Sequence, residues 1–138
     1  MYYIKSTMKN TIFKLTEYVY YFSLLVLLIL YLFPGSLIGY LLYGNLGQQP
    51  NLISNPIGTS INHLFFFSYI TILAMTVRLR AKNILTNYRF ILFISCVLEI
   101  LHLIVPNRAF EFYDLIANLI GVVIILFINS FVKWQKYF

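Results

Sequence analysis

Four long apolar runs, separated by links that hold nearly all the charge, constrain this chain more than any other feature. They cover about residues 15–33, 61–77, 88–105 and 112–132, so each is 17 to 21 residues long. A helix rising about 1.5 Å per residue needs roughly that length to cross about 30 Å of hydrocarbon. Helices are the required form, because lipid offers no partner to an open backbone N–H or C=O. The expectation is an all-α integral membrane four-helix bundle, a single domain over residues 1–138, with the lipid bilayer as its first partner. Composition agrees, since 61% of residues are hydrophobic and 10% charged. A soluble domain needs a polar shell, with roughly a quarter of its residues charged.

The charges then set an orientation. Lys5, Lys9 and Lys14 precede the first run, and Arg78, Arg80, Lys82 and Arg89 lie between the second and third. Lys133 and Lys136 follow the fourth, and Arg108 alone falls in the link between the third and fourth. Nine of the ten bases thus share one side, which the positive-inside rule makes cytoplasmic, together with both termini. Trp134 and Tyr137 suit the interface on that side. Because the bases mark the ends of apolar runs, the net charge of +6 gives no reason to expect a nucleic-acid partner. The first run exceeds a signal-peptide core and is followed by no small-residue cleavage site, so it reads as a retained helix. Cys96 is the single cysteine and forms no internal disulfide.

The link over residues 34–60 carries no charge. Its segment 36–43 is apolar but too short to span, so it either lies in the interface or dips back into the protein. Gly35 and Gly39 have the small-xxx-small spacing that lets helices approach closely. Gly44, Gly47, Pro50, Pro56 and Gly58 make the remainder rich in turns. Whether residues 36–58 form a lid over an outer site is left open at this level.

Polar side chains that lipid would penalise concentrate on the outer side: Asn62, His63, Glu99, His102, Arg108, Glu111, Asp114 and Asn118. Glu99 and His102 are three apart and share a helix face, while Asp114, Asn118 and Gly121 form one stripe. Ala117 and Gly121 repeat the small-xxx-small spacing, so that side of the fourth helix should pack closely. A buried carboxylate at Glu99 needs a partner or a proton, and Arg108 is the one base near enough to engage Glu99, Asp114 or Glu111. Asp114 also suits a helix cap, Asn118 an interhelical hydrogen bond, and His63 a place at the interface. Glu99-x-x-His102 has the spacing of a di-iron helix motif, but a second copy is missing. Zinc among His63, His102, Glu99 and Asp114 is the only other metal reading, and neither metal nor cofactor is expected.

The stretch CVLEILHLIVPNRAFEFYDLIANLIGVVIILF resembles the VanZ-like family of bacterial membrane proteins, related to teicoplanin resistance. The matching positions are Glu99, His102, Pro106, Arg108, Phe110, Asp114, Asn118 and Gly121, and NHLFFFSYITIL resembles the family's earlier helix, with His63 in the place of its His. The likeness covers about residues 60–130. His102 stands where Gln is usual, and Thr59 or its neighbours where an Asp often precedes the His. What the resemblance implies is a multi-pass protein of the bacterial cytoplasmic (inner) membrane, tied to the cell envelope and to antibiotic resistance. The favoured function is recognition of a lipid-linked envelope precursor or a lipoglycopeptide, with Glu99, Arg108, Asp114, Asn118 and His63 as ligand-binding residues. One alternative is a membrane enzyme with Glu99 as general acid/base and His102 or His63 as its proton partner. The other is an accessory structural subunit of an oligomer or larger complex.

Overall fold

The computed structural model describes residues 2–50 and 58–135, with the side chains of 10–50, 58 and 60–135. Expectations that rest on residues 51–57, on Lys136 and Tyr137, or on the side chains of Lys5, Lys9 and Thr59 lie outside the described residues. The chain is all-α, in the order α1 (Tyr2–Leu32), α2 (Leu37–Tyr43), α3 (Gly58–Arg78), α4 (Tyr88–Leu101) and α5 (Phe112–Gln135). Three helical segments are long and apolar enough to cross a membrane: Asn10–Leu32, Ser60–Arg78 and Phe112–Gln135.

Each boundary has a local cause. Pro34 has no N–H and Gly35 takes φ 83°, so α1 cannot continue past Leu32. Ser36 caps α2 by accepting from the Gly39 N–H, and Gly44 closes it at φ 68° with its N–H on the Tyr40 carbonyl. Asn87 caps α4 by accepting from the Arg89 N–H. The third apolar run departs from expectation, because α4 stops at Leu101 after 14 residues instead of continuing to 105. Beyond it the N–H groups of His102, Leu103 and Ile104 turn to the carbonyls three residues back, at 3.0–3.1 Å. Proline disfavours helical backbone in the residue before it, and Asn107 then takes φ 57°, so the run unwinds ahead of Pro106.

The helices α3 and α5 form the most extensive pair, flanked by α1 on α3 and α4 on α5. Gly121 permits this approach: a Cβ placed there would stand 2.5 Å from the Leu64 carbonyl oxygen. The expected close packing at Ala117 and Gly121 is therefore present, and Ser68 Oγ donates to the Gly121 carbonyl at 3.1 Å. Gly35 and Gly39 serve a different contact, since added Cβ atoms would strike Leu46 and Gln48 of the following loop rather than a helix.

The core gathers Tyr20, Leu27, Phe67, Ile70, Ile91, Leu98 and Val122 from all four long helices. Large apolar side chains such as Phe22, Leu25, Phe65, Phe93 and Phe127 face outward, a surface suited to lipid rather than water. At one end of the helices Arg80 donates to Asn10 and lies 4.2 Å from the Phe13 ring centroid, joining the start of α1 to the end of α3. Arg78 and Lys133 line a shared cavity with Tyr88, which brings the start of α4 and the end of α5 to that same basic end.

Candidate functional site

The outer polar residues of the sequence converge between α1, α3, α4 and α5. Glu99, Asn118, Asp114 and His102 are all buried, and His63 is nearly so. Tyr31, from the last turn of α1, enters among them and joins three of them. Its hydroxyl lies 2.7 Å from His63 Nδ1 and 3.0 Å from Asn118 Oδ1, and its ring stacks on His102 with centroids 5.2 Å apart. The sequence reading omitted Tyr31 because a tyrosine near the end of an apolar run looks like an interface anchor. Its position one turn before Pro34, level with the other polar residues, is the signal that could have found it. Ser60 and Ser95 were also missed, and both are small enough to pass as helix-packing residues.

Each carboxylate has its own surroundings. Asp114 Oδ1 accepts from Ser60 Oγ at 2.5 Å, and Asp114 Oδ2 lies 3.4 Å from His63 Nε2. The expected side-chain cap from Asp114 to the backbone of α5 is not among the described hydrogen bonds, although its charge still suits the positive end of that helix. Glu99 supplies the cap instead: its Oε1 accepts from the Glu111 N–H at 3.2 Å and sits 3.3 Å from His102 Nδ1. Glu99 Oε2 has no hydrogen-bond partner and lies 3.8 Å from His63 Nδ1. One buried carboxylate therefore ties α4 to the start of α5 and faces two histidines.

Arg108 corrects the expectation of an arginine–carboxylate pair. No ion pair of Arg108 occurs among the described residues, and its Nη2 donates to the Leu30 carbonyl at 2.7 Å. The reason lies in α1. Within a helix the Leu30 carbonyl would accept from the N–H of residue 34, but that residue is Pro34. Arg108 supplies the missing donor. Burial lowers its pKa from the usual arginine value, against the raising influence of Tyr31, Glu99 and Asp114. Glu111 stays at the solvent-facing edge, its carboxyl raised by partial burial and then by the Asp114 and Glu99 charges.

Above this cluster lies a pocket of about 120 Å³. One wall is apolar, with Leu27, Leu30, Leu37, Ile38 and Phe66, and the other presents Tyr31, Ser36, Asn62, His63, His102 and Arg108. Residues of α2 and the loop after it, Gln49 and Pro50, complete its lining, with Asn62 Nδ2 donating to the Pro50 carbonyl at 2.6 Å. The segment 36–50 thus forms one side of the pocket. Three lining residues keep a buried polar atom without a hydrogen-bond partner: Asn62 Oδ1, His102 Nε2 and Arg108 Nε. Such atoms cost about 1–3 kcal/mol each when left bare.

No known protein family, curated protein or solved structure matches the chain. The geometry alone therefore carries the functional argument. It joins His63, Glu99, Asp114 and Asn118 in one cluster, and puts Arg108 and His102 on the pocket wall.

Proposed function

We propose that this chain is a VanZ-like protein of the bacterial inner membrane whose outer pocket binds an amphiphilic cell-envelope ligand, a lipid-linked precursor or a lipoglycopeptide. The observation that carries this reading is the division of the pocket into an apolar wall and a polar wall with bare donors and acceptors. An alkyl chain would lie along Leu27, Leu30 and Phe66, while an anionic headgroup would take up the unused Arg108 Nε–H and a hydroxyl of the same headgroup would donate to His102 Nε2. The exposed apolar residues of α2, among them Leu41 and Leu42, would rest in the membrane interface beside the opening.

The same reading has the chain crossing the membrane four times with both termini cytoplasmic. The gathering of Arg78, Arg80 and Lys133 at one end, opposite the polar cluster, supports it. At about 1.5 Å per residue α4 provides about 21 Å of helix, and the turns through Asn107 would complete its passage. Reading Glu99 as a general acid/base gains one point: both histidines that could relay its proton touch it.

The test uses a fluorescent polyprenyl phosphate and the neutral polyprenol of equal length, titrated into the protein in detergent micelles. The phosphate should bind at least about tenfold more tightly, and Arg108→Gln should abolish the preference. Equal affinity for phosphate and alcohol in the parent chain rejects an anionic headgroup. Saturable binding of a fluorescent lipoglycopeptide, with neither polyprenyl probe binding, selects the antibiotic as the ligand.

A further inference from the structure

Hydrogen-bond polarity can be followed through the cluster from one fixed end. The Ser95 carbonyl can only accept, so the contact at 3.3 Å makes Asn118 Nδ2 its donor and turns Asn118 Oδ1 toward Tyr31. That oxygen can also only accept, so the Tyr31 hydroxyl donates to it. The Tyr31 oxygen then accepts from His63 Nδ1–H at 2.7 Å. His63 is left with a lone pair on Nε2, and that lone pair faces the Asp114 Oδ2 carboxylate oxygen at 3.4 Å. Two acceptors then confront each other in a buried site, a clash that a proton or a metal ion between them relieves.

We propose that His63 Nε2, Asp114 Oδ2 and Glu99 form a binding site for one divalent transition-metal ion of the Zn²⁺ or Mn²⁺ class. Donors held about 2.1 Å from a shared ion at a tetrahedral angle stand about 3.4 Å apart, which is the His63–Asp114 separation. One ligand atom from each of the three residues lies within 4.8 Å of the others. Closing all three pairs to that tetrahedral spacing would need a shift of up to about 1.4 Å in the widest pair, within reach of side-chain rotation. Glu99 supplies the independent sign: it is fully buried, and its Oε2 has no hydrogen-bond partner while its Oε1 is occupied by the Glu111 N–H.

Charge leads to the same place. Two carboxylates are buried here, and among the described residues only histidines stand within ion-pair distance of them. A divalent ion neutralises both at once, as a single proton on His63 would not. The surroundings also suit a metal. A ligating histidine commonly donates its other ring N–H to a fixed acceptor, as His63 does to Tyr31, and ligating carboxylates are themselves hydrogen-bonded, as Asp114 is by Ser60. Mixed imidazole and carboxylate donors place the ion among zinc and manganese rather than the thiolate-seeking metals.

The site stands independently of the amphiphile reading. Tag-free protein in detergent, stripped with a chelator and dialysed, is titrated with Co²⁺ by visible absorption and with Mn²⁺ by electron paramagnetic resonance. Bound Zn²⁺ is counted by elemental analysis. One ion per chain is expected, with affinity falling at least about tenfold in Asp114→Asn and in Glu99→Gln, and unchanged in Glu17→Gln. Absence of saturable binding in the parent, or equal affinity in all variants, overturns the proposal. Should a variant fail to fold, the Mn²⁺-loaded parent still decides: pulsed resonance must show coupling to one imidazole nitrogen, and its absence removes His63 as a ligand. Polyprenyl phosphate binding measured with chelator present separates failure of the metal site from failure of the pocket.

Discussion

Gly121→Ala should loosen the α3–α5 pair by an amount the structure allows to be worked out. The new Cβ would stand 2.5 Å from the Leu64 carbonyl oxygen and 3.2 Å from the Ser68 nitrogen, both backbone atoms. Ordinary contacts begin about 1 Å farther out, near 3.5 Å, so one backbone must withdraw from the other. Forcing an extra methyl into close packing costs about 1–3 kcal/mol. The Ser68–Gly121 hydrogen bond, 3.1 Å long, is stretched by the same movement and adds about 1 kcal/mol. Against this, replacing a mid-helix glycine by alanine returns about 1 kcal/mol of helix propensity. The balance is a loss of about 1–3 kcal/mol, readable as an earlier midpoint in SDS titration of the protein in mixed micelles. Gly47→Ala is the control, because its Cβ would meet nothing nearer than Asn45 Oδ1 at 3.4 Å. It should change stability by less than about 0.5 kcal/mol. Asp114 and Asn118 lie on the same stripe of α5 as Gly121, so the loosened variant should also bind metal more weakly. A neutral or stabilised Gly121→Ala would refute the close approach and the site geometry that depends on it.

Three further outcomes rest on the surroundings of the site. Gly39→Ala puts a Cβ 1.6 Å from the Gln48 carbonyl oxygen and must push the loop at 48–50 away from α2. If about 1–3 kcal/mol of overpacking is relieved by moving that loop, ligand affinity should fall roughly 5- to 150-fold, and unchanged affinity would exclude this segment from binding. Arg108→Ala should cost about 1–3 kcal/mol by baring the Leu30 carbonyl, and part of this loss should disappear in a Pro34→Ala background, where residue 34 regains an N–H. Additive losses in that double-mutant cycle would sever the link between Pro34 and Arg108. Glu111 has a folded-state pKa raised by partial burial, so its protonated form favours folding. That stability is fully present below the ordinary carboxylate range and lost as pH rises through the raised value. Thermal melts should therefore show Glu111→Gln gaining on the parent as pH rises, and a constant gap across pH would refute the shift.

Much of the site was legible in the sequence because lipid makes polar side chains costly. Each one inside an apolar run is a marker, and Glu99, His63, Asp114 and Asn118 do meet. The three longest helices followed from the same hydropathy. What sequence spacing could not give was direction. Arg108 was expected to answer a carboxylate, yet a missing N–H at Pro34, 74 positions earlier by subtraction of the residue numbers, holds it at Leu30. The cap of α5 was expected from Asp114 and comes from Glu99 on another helix. The end of α4 is set by Pro106 through backbone sterics that a count of apolar residues does not contain. The first two misses are backbone groups satisfied by side chains distant in sequence, and periodicity carries no information about such pairings.

The one-way chain of hydrogen bonds from His63 through Tyr31 and Asn118 to Ser95 is also a row of aligned dipoles. At its start the His63 Nε2 lone pair faces Asp114 Oδ2, so the negative end of the row meets that carboxylate. The row acts on the cluster as the carbonyl end of a helix acts on its surroundings. It adds its field to that of Asp114. In that reading the carboxylate cluster draws cations, while the pocket beside it, joined through His63, offers Arg108 to anions. A phosphate entering along the apolar wall would be held at Arg108 and repelled from the carboxylates. Ligand and metal would then occupy neighbouring places without competing for either.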